Sequence, residues 1–393
     1  MTALRALVIH NFYRSENASG ENLSVLDEIS GLRSLGWDVE VIGSHSDAIV
    51  NQAIPLAELA MRPIYSRRSV ERVREAATRF RPQVAVVENL FPLHSPWVIR
   101  TLRSLGIPVA ASVRSYRMFC AASSLFRDGA TCRDCVGTKL NLPAVRHGCY
   151  QRSRLRTAPL AASLALHRST FLSIDRFLAV SEFVRNELIE AGFDASRIAV
   201  RPNFVDDPGP PDDTPGTGFF FAGRLTEEKG LAAMLDGWRR SEVWRHHPLR
   251  IAGSGPLEPL LDGLDPELRV EPLGLLAHDR VLDVMRGSAV TVVPSLSLET
   301  FGRGVIEAAA RGRASLVCRS GGLAGLVEDG TTGWIAEPDA DGLAAAFRRA
   351  ADPTDQIDFG RAARRRYEQR YDRDTSLGIL DHELRELVGR VRA

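Results

Sequence analysis

Phe219-Phe-Phe-Ala-Gly223-Arg224-Leu-Thr-Glu-Glu-Lys229-Gly230 joins an apolar run, a glycine turn and a helix start. The aromatic run predicts a buried strand. The turn at Gly223 and a helix beginning near Gly230 predict that the strand's carboxyl end feeds a helix N-terminus, where free backbone amides and the helix dipole favour anions. Arg224 and Lys229 stand five residues apart across that turn. One brings a planar fork of donors and the other a point charge, so together they can clamp a diphosphate. Two solvated surface cations are the alternative for the pair taken alone.

The surrounding chain repeats the same grammar. Leu4–Ile9, Val39–Ile42, Val84–Val87, Val109–Val113 and Phe177–Val180 read as buried strands, with an amphipathic stretch from Leu23 to Leu35 between the first two. Beyond the opening motif, Leu249–Ile251, Val290–Val293 and Ser315–Val317 continue the pattern. Apolar runs alternating with helical segments imply βαβ units and parallel sheets. Between Asp206 and Gly218 lie four prolines and three glycines, a linker composition. The reading is α/β: an N-terminal domain over residues 1–205, a C-terminal one over 206–372, and a helix over 373–393 crossing back to the first. Leu377, Leu380, Leu384 and Leu387 supply that helix's apolar spacing.

Composition narrows the function classes. The chain has 393 residues, 44% hydrophobic and 25% charged, which are ordinary globular values and exclude a disordered or fibrous protein. Fifty basic residues face 49 acidic ones, so no global field draws the chain to nucleic acid. Only Lys139 and Lys229 are lysines. The absence of a secretory h-region at Met1–His10 and of any long apolar run points to the cytoplasm, with peripheral membrane association as a second possibility. No G-x-G-x-x-G follows the first strand, which argues against a dehydrogenase.

A second motif, Pro294-Ser-Leu-Ser-Leu-Glu299-Thr-Phe-Gly302-Arg-Gly-Val-Ile-Glu307, follows the strand Val290–Val293. It places Glu299 in a loop and Glu307 inside the next helix. One carboxylate can accept sugar hydroxyls and the other ribose hydroxyls. Amides at Phe301, Gly302 and Arg303 would open the helix, and Gly302 lets a ligand approach the backbone.

Taken together, Gly223-Arg224-Leu…Lys229-Gly230, Ile251-Ala-Gly-Ser-Gly-Pro256, Leu273-Gly274, Glu299-(x)7-Glu307 and Gly321-Gly322…Gly333 resemble the large retaining family 4 of glycosyltransferases. In the first half, His10-Asn-Phe-Tyr13, Gly20-Glu21, Ser181-Glu-Phe183 and Pro202-Asn-Phe-Val205 fit as well. The resemblance implies a GT-B architecture, two Rossmann-like domains facing a central cleft. It implies that Arg224 and Lys229 bind the donor diphosphate, that Glu299 holds the transferred sugar and that Glu307 holds the ribose. Thr300, Phe301 and Gly302 would offer amides to sugar and phosphate. Gly223 and Gly253 join the donor-binding positions, and Leu275 and Leu276 would lie near the base. His10, Gly20 and Glu21 would touch acceptor or phosphate. No catalytic metal is implied, since the cationic pair stabilises the departing diphosphate.

The chain departs from the family pattern at Ser112-Val-Arg114-Ser115-Tyr116, where related sequences carry a histidine facing the donor sugar. Arginine cannot act as a base. Arg114 can bind a carboxylated sugar, a phosphate or an acidic acceptor, or point elsewhere. Ser19-Gly20 likewise replaces a glycine pair.

Cys120, Cys132, Cys135 and Cys149 form a CxxC with two flanking cysteines in a loop-rich insertion near 120–149. A structural zinc, disulfides and unligated thiols are the alternatives. Basic stretches at Arg62–Arg81 and Arg146–Arg156 either touch anionic lipid and phosphate-bearing acceptors or are solvated helix faces.

The function expected is retaining transfer of a sugar from a nucleotide-diphosphate donor to a hydroxyl on a glycan, a lipid-linked glycan or a small secondary metabolite. The alternatives are a pseudo-glycosyltransferase or related GT-B enzyme making a non-glycosidic bond, an epimerase, and a catalytically silent nucleotide-sugar-binding subunit.

Overall fold

A computed structural model describes residues 3–14, 19–51, 54–211 and 214–392. Asp212 and Asp213 of the expected linker lie outside the described residues. In chain order the strands are β1 (Arg5–Phe12), β2 (Asp38–His45), β3 (Val84–Val87), β4 (Val109–Val113), a small hairpin of β5 (Phe126–Arg127) and β6 (Ala130–Thr131), β7 (Arg176–Ala179), β8 (Ile198–Val200), β9 (Phe219–Ala222), β10 (Leu249–Ala252), β11 (Val270–Gly274), β12 (Val290–Val293), β13 (Ala314–Cys318) and β14 (Gly333–Ala336).

By contact the chain forms two compact units. One holds residues up to Leu125, Cys132–Pro202 and the chain from Ser376 onward. The other holds Phe126–Thr131 and Asn203–Thr375. The first unit is built on a sheet in the order β2-β1-β3-β4-β7-β8 and the second on β11-β10-β9-β12-β13-β14. Every pairing in both sheets is parallel.

Parallel strands are covered on both faces by their crossover helices, so they select continuous apolar runs. Val84–Val87 and Val109–Val113 are buried at every position. Phe219, Phe221, Trp238, Leu249, Val290, Leu316, Trp334 and Phe347 form the main core of the second unit, with Phe219, Trp238 and Phe347 packed edge to face about one another. The sequence pattern does not reveal β8, β11 and β14. These are short, and β11 carries Glu271 and Pro272 on a sheet edge, where proline costs no ladder hydrogen bond.

Each sheet has one place where strand order reverses, and there the crossover helices diverge and open a crevice at the carboxyl ends. In the first sheet it falls between β1 and β3, in the second between β9 and β12. The tail is two helices, Pro353–Arg370 and Arg373–Arg392. Leu377, Leu380, Leu384 and Leu387 are all buried. In the first unit Leu377 lies against Gly31, Trp37 Nε1 donates to Asp381 Oδ1 at 2.6 Å, and Arg176 pairs with Glu383 at 2.6 Å.

Candidate active site

The carboxyl ends of β9 and β12 carry the two motifs singled out in the sequence, at the reversal point of the second sheet. Glycines are what let these loops close on one another. Gly253 has φ 146°, and a Cβ there would sit 1.9 Å from the Gly223 carbonyl oxygen. Gly230 has φ 75°, and its Cβ would sit 1.9 Å from the carbonyl oxygen of Pro294. The Lys229–Gly230 turn is therefore pressed against the β12 loop. Amides of Leu296 and Ser297 donate to the Glu228 carbonyl and tie the loops together.

That closure brings Lys229 Nζ to 2.5 Å from Glu299 Oε1, and the Ser295 hydroxyl donates to the same oxygen at 2.7 Å. Both side chains keep a solvent edge, 26% for Lys229 and 18% for Glu299. Burial pushes the Glu299 carboxyl up. The Lys229 ammonium and the Ser295 hydroxyl outweigh it and hold the group below its ordinary value, so it is an anion at neutral pH. The backbone of Glu299 is fixed by Gly321 and Gly322: the Gly322 amide donates to the Glu299 carbonyl at 2.6 Å, and a Cβ on Gly321 would collide with that carbonyl. Arg224, on the same strand end as Lys229, is 57% exposed and pairs with Glu228 at 3.1 Å.

The helix Arg303–Ala310 opens at Gly302, which has φ 135° and no side chain to cap the first amides. Those amides are the candidate anion donors. Thr300 is half-buried beside them. The Phe301 ring is buried and packs edge-on against Tyr371, so only its backbone is available to a ligand. Glu307 is nearly buried. Its Oε1 accepts from Arg303 Nε at 2.7 Å and lies 3.4 Å from His278 Nε2. Neither Arg303 nor His278 stood out in the sequence. A signal was present for Arg303, four residues before Glu307 on one helix; His278 starts a separate helix, and nothing local links it to Glu307. Of the pair expected near a base, Leu275 is exposed and Leu276 packs over Phe220 and Met285.

The first unit has its own cluster at its reversal point. His10 is buried at the end of β1 with Nε2 3.3 Å from Asn22 Oδ1, and burial lowers its pKa to about 4, so it is neutral. Gly20 begins the helix Gly20–Ser34, which Ser19 caps by accepting from the Asn22 amide. Glu21 accepts from the Tyr13 hydroxyl at 3.1 Å, and burial raises its pKa. Arg114 does not stand as a free cation. Its guanidinium is buried and donates to both Glu88 and Glu28, and Arg201 also reaches Glu28 at 2.8 Å. Desolvation pushes Glu88 up despite Arg114, while Arg201 and Arg114 hold Glu28 down. Glu21, Glu88, Asn89, Ser115 and Arg117 line an adjoining recess with Phe91 and Phe171.

The zinc expectation is corrected. Cys120 and Cys135 are buried and Cys132 and Cys149 half-buried, all as free thiols. Among the described residues no group of three or more His, Cys, Asp or Glu is arranged to hold a metal ion. Burial pushes the Cys135 thiol up to about 11.

Comparison with known proteins places this geometry. Residues 19–203 match the glycosyl transferase 4-like domain, and residues 216–352 match the model described as glycosyl transferases group 1. The chain belongs to the group 1, family 4-like glycosyltransferases. Within that family it is 35% identical over 164 residues to a glycogen synthase of Mycobacterium tuberculosis, a stretch covering 39% of this chain and 39% of the synthase. The chain thus aligns with well under half the length of that relative. Among solved structures, sucrose-phosphate synthase from Thermosynechococcus elongatus superposes with a TM-score of 0.72 at 19% identity, over 98% of this chain and 100% of that one. Anabaena HepE in complex with UDP-glucose gives 0.64 at 16% identity, over 98% and 100%. These likenesses establish the two-domain, Rossmann-like GT-B fold, and this glycosyltransferase carries its motifs at the sheet position where the fold collects ligands.

Proposed function

We propose that this glycosyltransferase moves a sugar from a nucleoside diphosphate donor to a hydroxyl acceptor with retention of anomeric configuration. The observation that carries the reading is the Lys229–Glu299 pair, 2.5 Å apart at the reversal point of the second sheet, with the exposed guanidinium of Arg224 on the same strand end. A diphosphate entering there meets two cations and the uncapped start of the helix Arg303–Ala310. It competes with Glu299 for Lys229, and Glu299 so released can accept sugar hydroxyls. Glu307, steadied by Arg303 and His278, receives the ribose hydroxyls. UDP-glucose in the HepE neighbour supports a nucleotide-sugar donor.

In the transfer step the C1–O bond to the diphosphate breaks and the acceptor oxygen bonds C1 on the same face. The acceptor proton passes to the departing diphosphate oxygen. Charge grows on the diphosphate as the bond breaks, so Arg224 and Lys229 bind the transition state more tightly than the donor. The acceptor class is a hydroxyl of a glycan, a lipid-linked glycan or a small metabolite. A non-glycosidic product is less favoured, because Arg114, the residue that suggested it, spends its charge on Glu28 and Glu88.

Lys229→Ala and Glu307→Ala should each lower nucleotide-sugar turnover by about 10²-fold or more while leaving the unfolding midpoint close to wild type. Unchanged rates in both variants would overturn the donor-site assignment, and a product with inverted anomeric configuration by NMR would overturn retention alone.

A further inference from the structure

The helix Arg154–Leu166 in the first unit is apolar on both faces. It buries Leu160, Ala161 and Leu164 together with the hydrogen-bonded Thr157 and Ser163, and it turns further apolar side chains outward. Leu155 is 88% exposed and Leu166 60%. Ala158 is exposed, and Pro159, Ala162 and Ala165 are half-buried between the two leucines. Positions 155, 159, 162 and 166 fall on one stripe of an α-helix, so the outer face is apolar over about 16 Å. From Ala158 to Leu166 its one polar side chain is the buried Ser163. At its C-terminal end the exposed aromatics Tyr65 and Trp97 stack edge-on beside His167.

Charge surrounds the other end. From Val136 to Ile174 the chain contains no aspartate or glutamate, while Lys139, Arg146, Arg152, Arg154 and Arg156 fall within it. Arg154 donates to the Arg146 carbonyl and Arg156 to the Gln151 side chain. Among the described residues none of these arginines is paired with a carboxylate. Leu140 and Leu142, also exposed, flank them on the segment that packs beside this helix.

We propose that this face docks on an anionic lipid surface, with Leu155, Ala158, Ala162 and Leu166 seated at the boundary between headgroups and acyl chains and the arginines on lipid phosphates. The pattern is that of an in-plane membrane helix: an apolar stripe, amphipathic aromatics at one end and cations with no internal counter-ion at the other. The helix is far too short to span, and no helix among the described residues is long and apolar enough to cross a membrane. A second copy of the chain would bring the same acid-free surface and leave the arginines unneutralised. The inference does not depend on the donor-site reading.

The full-length protein should co-sediment with phosphatidylcholine vesicles containing roughly 30 mol % phosphatidylglycerol, and bind pure phosphatidylcholine vesicles at least about tenfold more weakly. Binding should fall as salt is raised. Leu155→Asp combined with Ala158→Asp should lower partitioning about tenfold, and so should Arg152→Ala with Arg154→Ala and Arg156→Ala; these side chains are outward-facing, so circular dichroism and the melting midpoint should stay at wild-type values. Absence of binding to the anionic vesicles at low salt, or binding at the wild-type level by both sets of variants, overturns the proposal. So does a concentration-dependent dimer abolished by Leu155→Asp, which would assign the face to a second copy.

Discussion

Glu299→Gln keeps the shape of the Lys229 partner but removes its charge. In the wild type the Lys229 ammonium is neutralised by a carboxylate 2.5 Å away. The variant leaves that ammonium for a phosphate, so a bare nucleoside diphosphate should bind a few-fold more tightly by calorimetry, while sugar transfer falls by about 10²-fold because no carboxylate receives the sugar. Weaker nucleotide binding together with slower transfer would mean that Glu299 serves only to hold the loop. The histidines of the first unit make a second residue-scale prediction. Burial lowers His10 to about 4 and His94 to about 3, against 6.5 in the unfolded chain. Between those values the unfolded state binds more protons, so their contribution is present above about pH 6.5 and drains as pH falls toward 4. The wild-type melting midpoint should drop across that window, and His10→Gln with His94→Gln should flatten the slope. Parallel slopes would place the acid sensitivity in other groups. Sequence made most of the residue identities visible, because Lys229, Glu299 and Glu307 stand at motif spacing. It hid what they touch: His278 lies 29 residues before Glu307 and the Glu28–Arg114 contact spans 86, and no local pattern encodes such pairings.

At the scale of elements, two loops are shaped by glycines with no room for a methyl. Gly253→Ala puts a Cβ on the Gly223 carbonyl in a backbone conformation that L residues rarely adopt. It should destabilise the second unit by about 2–4 kcal/mol. Gly287→Ala, at a helix end with open space around its Cβ, should be close to neutral by the same denaturation assay. Equal effects would show that the β9–β10 crossing relaxes easily. Strand legibility follows burial. Val84–Val87, Val109–Val113 and Val290–Val293 are read from sequence with their bounds, because both faces of these central strands must be apolar. The edge strand Val270–Gly274 faces partly to solvent, so its composition looks like loop. The helix Arg154–Leu166 shows the converse: its apolar run is visible in sequence, but that run is apolar on both faces, and only the structure shows that Leu160, Ala161 and Leu164 turn inward, with Ser163 donating to the Pro63 carbonyl.

For the whole molecule, ligand linkage should be local to one unit. A nucleoside diphosphate that binds only the native second unit raises its stability by mass action. Hydrogen exchange with saturating UDP should therefore slow most around residues 223–230 and 299–307, while β1–β4 change little. Protection concentrated in the first sheet would move the donor site. The proline- and glycine-rich segment after Asp206 is what suggests two domains in the sequence; by contact the units divide at Pro202 and Asn203. The capture of residues 126–131 by the second unit was not, since nothing in that short hairpin marks its allegiance.

The last helix has a bearing on how the chain is made. Residues from Ser376 onward belong to the first unit, where Leu377 fills the space beside Gly31 and Asp381 caps the indole of Trp37. A nascent chain emerging N-terminus first therefore carries an incomplete first unit, with its groove beside Gly31 and Trp37 uncovered, until the stretch from Ser376 onward is translated. Loss of only those turns would injure a sheet whose strands are all translated before them.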